Sequence, residues 1–169
     1  LASINRSTPN GFVLATDTDL LAADYASIFR GTIRPFPIPV RPAATPRRPS
    51  DSDKVTFGYV GDCRAAKGFP RLTPMIEGVL QKDGTRRIHF SVQLYRGTYD
   101  QGADPPGWDG IEALAAAFPS RLKVVKGVLD DAAYARLFAS LDAVLIPNDH
   151  PAFEAGSSNV FCESVAAGK

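Results

Sequence analysis

The residues best suited to chemistry lie in the last stretch of the chain, residues 146–169. It runs Ile146-Pro147-Asn148-Asp149-His150, then through Gly156, Ser157, Ser158 and Asn159 into Val160-Phe161-Cys162-Glu163. The pattern predicts a short buried strand over 143–146, a polar loop, and a helix whose first turn carries Glu163. Backbone N–H groups at a helix start have no partner within the helix, and the macrodipole adds partial positive charge there. Ser157, Ser158, Asn159 and Val160 would therefore seat a phosphate, with Glu163 facing ligand hydroxyls. A plainer reading stands beside it: Asn159 is a good N-cap, and an acid in a first turn complements the dipole without any ligand.

A second candidate loop is Gly61-Asp62-Cys63-Arg64-Ala65-Ala66-Lys67-Gly68-Phe69, directly after an alternating apolar run at 55–60. Lys67 and Arg64 supply cations, and Gly61 and Gly68 let the backbone approach a ligand closely. Both loops follow expected strands. Ligands of parallel α/β sheets bind at the carboxyl ends of the strands, so the two loops together suit a diphosphate.

The elements that must hold these loops can be read in order. Residues 11–16 predict a strand, 17–29 a helix with Thr16 or Asp17 as N-cap and Gly31 closing it, and 32–40 an extended edge interrupted by prolines. These first 40 residues read as one βαβ unit. Residues 41–53, with Pro42, Pro46 and Pro49 among arginines and serines, read as an extended linker. From Lys54 onward the order is β-α-β-α-β-α-β-α. The strands are at 55–60, 88–95, 122–128 and 143–146, and the helices start near Thr73, at Ile111, after Asp130 and at the final loop. Pro74 marks the start of the first of these helices and Gly84 its end, and residues 96–109 read as a loop. The 88–95 strand alternates, with its apolar positions pointing one way. The expected fold class is therefore α/β: a Rossmann-like parallel sheet with helices on both faces, preceded by a βαβ piece.

Composition narrows the function classes. With 169 residues, 44% hydrophobic and 22% charged, the chain can bury a substantial core. Nineteen basic residues against eighteen acidic leave a net charge of +1, which gives no global argument for nucleic acid or an anionic membrane. Cys63 and Cys162, without a histidine cluster, suggest neither a disulfide framework nor a metal site, and point to a reducing, cytoplasmic compartment. No apolar run is long enough to span a bilayer. The opening at Leu1 without methionine and the close at Ala167-Gly168-Lys169 suggest a fragment, with Gly168 as a helix C-cap.

These residues resemble the carboxyl-terminal half of the glycosyl transferases group 1 family, GT-B enzymes that use nucleotide-sugar donors and usually retain anomeric configuration. The resemblance is carried by Val60-Gly61 with Lys67-Gly68-Phe69, by Gly127 with residues 130–140, by residues 143–147, and by Gly156 through Glu163 to Gly168. It implies that the first loop binds the donor diphosphate through Lys67 and that Glu163 binds the ribose. Asp62 stands where the family commonly has arginine, so Arg64 is a substitute by inference. Ala155 stands where the family has a glutamate, with Glu154 one residue early.

The resemblance also implies a division into 1–40 (end of the acceptor-side domain), 41–53 (linker) and 54–169 (donor-binding domain, truncated). The donor site would comprise Lys67, Arg64 and Glu163 with Gly61, Asp62, Gly68, Ser157, Ser158, Asn159 and Val160. The partners implied are a nucleotide-sugar donor and a saccharide or lipid-linked acceptor, without nucleic acid. No metal or other cofactor is expected, since the helix dipole and cations take the place of a divalent ion. Peripheral contact with the inner membrane face would run through sequence before Leu1. His89 reads as a hydrogen-bonded core residue, and His150 as a residue that could line a sugar pocket. The alternatives are a non-catalytic α/β module that has lost donor chemistry and, third, another nucleotide-sugar enzyme such as an epimerase.

Overall fold

The computed structural model describes residues 13–29, 32–40, 53–97, 102, 104–149 and 157–169. The expected linker (apart from Asp53), His150, Glu154, Ala155 and Gly156 lie outside them.

Two parallel sheets are formed. In the first, β1 (Leu14–Thr16) pairs with β2 (Ile33–Pro35), joined by α1 (Asp19–Ile28). The N-cap of α1 is Thr18, whose side chain accepts from the Leu21 N–H, and not Thr16 or Asp17; the helix ends at Phe29, before Gly31.

The second sheet has the order β5-β4-β3-β6, with β3 at Val55–Tyr59, β4 at Ile88–Leu94, β5 at Leu122–Lys126 and β6 at Ala143–Val144. Its connections are α2 (Leu72–Lys82), α3 (Trp108–Ala117) and α4 (Asp131–Ala139), and α5 (Asn159–Ala166) follows β6. The chain steps outward from β3 to β4 to β5, then returns through α4 to place β6 on the other side of β3. The strand order therefore reverses between β3 and β6, and α/β sheets open a crevice at such a point.

Each face of this sheet has its own core. Phe57, Tyr59, Phe90, Val92, Leu94 and Leu122 meet Phe69, Leu72, Ile76 and Leu80 of the α2 region and Ile111 and Leu114 of α3. On the opposite face Val60, Val125 and Val144 meet Leu137, Phe138 and Leu141, with Ala167 from the end of α5. Gly58 has to be small, because a Cβ there would lie 2.1 Å from a Leu141 methyl.

Several local expectations are corrected. The strand β4 lies between two strands under helices on both faces, as the expected fold class requires, so Ser91 and Gln93 are as buried as their apolar neighbours. The Nε2 of His89 is buried without a hydrogen-bond partner among the described residues. Pro74 is the third residue of α2, where its missing N–H is no loss, and that helix is capped by Asp83 before Gly84. The helix α3 begins at Trp108, inside the expected 96–109 loop, on a Gly107 with φ of +96°. The last strand closes at Val144, two residues short of Ile146. Asp130 caps α4 as expected, accepting from the Ala133 N–H at 2.7 Å, and Gly168 takes the left-handed conformation just past α5.

Candidate functional site

Because β3 and β6 are parallel neighbours, their following loops leave the same rim of the sheet. They touch. The Asp149 N–H donates to the Ala66 carbonyl at 2.9 Å, and the exposed Arg71 guanidinium reaches the Asp149 carboxylate at 2.7 Å. At Gly68, with φ of +70°, a Cβ would fall 1.8 Å from the Pro147 carbonyl oxygen. Only glycine permits this crossing.

The β3 loop is pinned from beneath by Gln93, which the sequence reading passed over as one polar residue in an alternating strand. Its Oε1 accepts from the Gly61 N–H at 3.0 Å and its Nε2 donates to the Gly127 carbonyl at 3.0 Å, tying together the carboxyl ends of three strands. The Tyr59 hydroxyl donates to the Asp62 carbonyl at 2.7 Å, and burial holds the phenol well above its ordinary range.

Above this floor Lys67 comes to Gly61 and to the start of α5. A Cβ on Gly61 would lie 3.3 Å from the Lys67 Nζ and 3.9 Å from a Val160 methyl. The small cleft between them is lined by Tyr59, Lys67, Leu145, Asn148, Ser158 and Val160. It encloses about 10 Å³, room on the order of one water molecule. As it stands, a diphosphate would have to open it.

The cations are engaged within the loop itself. The Asp62 Oδ1 accepts from Arg64 Nε at 3.0 Å and lies 3.2 Å from Lys67 Nζ. Arg64 is half exposed and turns to Asp62, away from the cleft lining; Lys67 is mostly covered. A single carboxylate is thus shared by two cations, and the trio keeps a net charge of +1.

The α5 start differs from the expected layout by one residue. Ser158, not Asn159, is the N-cap, accepting from the Phe161 N–H at 3.3 Å. Glu163 consequently sits beyond the first turn. Its carboxylate does not line the cleft but meets α4, where it accepts a hydrogen bond from the Tyr134 hydroxyl. Burial, and then this carboxylate, push the Tyr134 phenol well above its usual range. Tyr134 had read only as a core position on the helical repeat. The Asn159 and Val160 N–H groups, among the described residues, carry no hydrogen bond, whereas the Ser157 N–H is taken by Asp17 at 2.7 Å.

Among the described residues no group of three or more His, Cys, Asp or Glu side chains is arranged to hold a metal ion, and no helix is long and apolar enough to cross a membrane.

The fold recurs in solved structures. OtsA in its apo form superposes with a TM-score of 0.58 at 18% identity, over 92% of this chain and 42% of that one. A trehalose-6-phosphate synthase, studied with bisubstrate glycomimetics for glycosyltransfer with retention, gives 0.62 at 18%, over 92% and 43%. TarM gives 0.59 at 13%, over 92% and 28%. The fold is that of the GT-B glycosyltransferases. This chain spans less than half the length of each of those structures. No protein-family model and no curated protein matches the sequence. Within the GT-B frame, the β3 and β6 loops of this chain bring Lys67, Gly61, Ser158 and Val160 together. Arg64 is left at the margin, and Glu163 is one turn away against α4.

Proposed function

We propose that the chain is the donor-binding part of a glycosyltransferase of the group 1 type. It would take a nucleoside-diphosphate sugar and pass the sugar, with retention of anomeric configuration, to a saccharide or lipid-linked acceptor. The observation that carries the reading is the meeting of Lys67 with the start of α5 at the point where strand order reverses. In this reading residues 1–40 belong to the acceptor-side domain, residues 41–53 to the linker and residues 54–169 to the donor domain. Transfer needs the remainder of both, so this part alone is inactive.

Lys67 swings from Asp62 to the diphosphate and, with the Asn159 and Val160 N–H groups, stabilises the charge that grows on the leaving group. No metal is needed for that role. Arg64 is the second cation, freed when Asp62 rotates away. Glu163 accepts from ribose hydroxyls while Tyr134 holds its carboxylate in place. The proposed site of action is the cytoplasm, at the inner membrane face where the acceptor is lipid-linked.

A second reading, a binding module without transfer chemistry, draws on the Asp62 contacts, which already engage both cations and offset part of their charge. Calorimetric titration of the protein with UDP, GDP and ADP separates the two. The enzyme reading expects one of them to bind at millimolar concentration or below. Lys67→Ala and Glu163→Ala should each weaken that binding about tenfold or more. Absence of binding by all three, both to the wild-type chain and to its Asp17→Asn variant, would leave the module reading in its place.

A further inference from the structure

One hydrogen bond joins the two sheets at the proposed site. The Asp17 carboxylate, which follows β1 at its carboxyl end, accepts the Ser157 N–H at 2.7 Å across 140 positions of sequence. Ser157 immediately precedes Ser158, which caps α5 and lines the cleft. An acidic side chain from the leading βαβ unit is therefore already docked at the edge of the cradle assigned to the donor's phosphates.

The chemistry of the contact says what it does. A carboxylate accepting from a backbone N–H beside a positive helix end is bound by the same forces as a phosphate oxygen. It uses up one of the donors available there. It also places a negative charge on Ser157, one residue before the Ser158 that lines the cleft. A diphosphate arriving at Lys67 and Val160 would meet Asp17 as a like charge in a partly covered setting, where Coulomb energies are several times those in bulk water. Asp17 has no cation among its described contacts to offset it.

We propose that Asp17 is an intramolecular competitor for the donor site: an anion built into the leading unit that holds the α5 end while the site is empty and must be displaced for a nucleoside diphosphate to bind. Its release would uncouple the two sheets at that rim, so donor binding and the spacing between the units are linked. The proposal rests on the donor-site reading given above.

The test compares the wild-type chain with Asp17→Asn, Asp17→Ala and, as a control for charge alone, Asp19→Asn, a change in the first turn of α1. Two measurements are made: affinity for UDP, GDP, ADP and inorganic pyrophosphate by calorimetry, and amide exchange at Ser157 by NMR. Removing the carboxylate should tighten binding of the best ligand by roughly threefold to tenfold. Asp17→Ala should speed Ser157 exchange, and Asp19→Asn should change neither. Binding seen only in the Asp17 variants would be the strongest form of support. Equal affinities within about twofold in wild type and Asp17→Asn would overturn the competitor role while leaving the donor site intact, since such affinity differences correspond to well under one hydrogen bond. Unchanged Ser157 exchange in Asp17→Ala would overturn the contact itself. Failure of every variant to bind any of the four ligands would remove the donor site and the competitor with it.

Discussion

The Cys63 thiol lies in the loop after β3, next to Asp62 in sequence, yet it is inert by construction. It is fully buried, donates to the Gln93 carbonyl at 3.6 Å and accepts from the Tyr95 N–H at 3.4 Å. Burial pushes its pKa up to about 11. Thiolates, not thiols, react. At pH 7.5 iodoacetamide should therefore modify the partly exposed Cys162 and spare Cys63 until the protein is unfolded, as read by peptide mass spectrometry. Equal labelling of both in the folded protein would contradict the buried setting. The sequence placed both cysteines beside loop-to-helix turns, but only packing separates one from the other.

At the scale of elements, the crossing of the β3 and β6 loops depends on Gly68, and the glycines of one short segment make opposite predictions. Gly68→Ala drives a methyl into the Pro147 carbonyl and forces a left-handed backbone on alanine, so it should cost roughly 1–3 kcal/mol in urea unfolding. Gly78 lies within α2 with open space around its would-be Cβ, so Gly78→Ala should stabilise by about 0.5–1 kcal/mol. The opposite signs test the loop contact against a general effect of glycine.

Much at this scale was legible beforehand. The alternation at 55–60, the i, i+3, i+4 spacing of Tyr134, Leu137 and Phe138, and the Asp130 cap are local signals with local causes. What could not be read was which cap the chain would choose when Ser158 and Asn159 both qualify. That choice decides whether Glu163 belongs to the first turn. The role of Gln93 was also hidden, since its partners Gly61 and Gly127 stand on other loops. The partners of Asp62, Glu163 and Asp17 are set by tertiary distances that no spacing rule encodes.

For the whole molecule, the ionic anchor is at the rim opposite the cleft. Arg121, before β5, donates to Asp83 at 2.7 Å and to the carbonyls of Leu80 and Ile88 at 3.0 Å, joining the end of α2 to the starts of β4 and β5. Hydrogen bonds from the Thr85 hydroxyl and the Ile88 N–H, together with Arg121, hold the Asp83 carboxyl below its ordinary value of 3.8. The folded value is the lower one, so this contribution to stability is complete above the ordinary value and is lost as pH falls through the folded value. Asp83→Asn should therefore melt below wild type at neutral pH, and the gap should close as the pH drops below 3.8, followed by circular dichroism. A gap that persisted unchanged into that acid range would mean that the carboxylate's charge is not what stabilises the rim.

The reversal of strand order also sets a timetable. β3, β4 and β5 follow one another in space as in sequence, so a chain emerging from the ribosome can assemble them as each appears. The short β6 must travel back past two strands to reach β3, and α5 comes later still. The rim at which Lys67 meets Val160 is thus completed only after β3, β4 and β5 are in place. A nascent chain halted before β6 should already resist protease across the first three strands while the β3 loop is still open to attack.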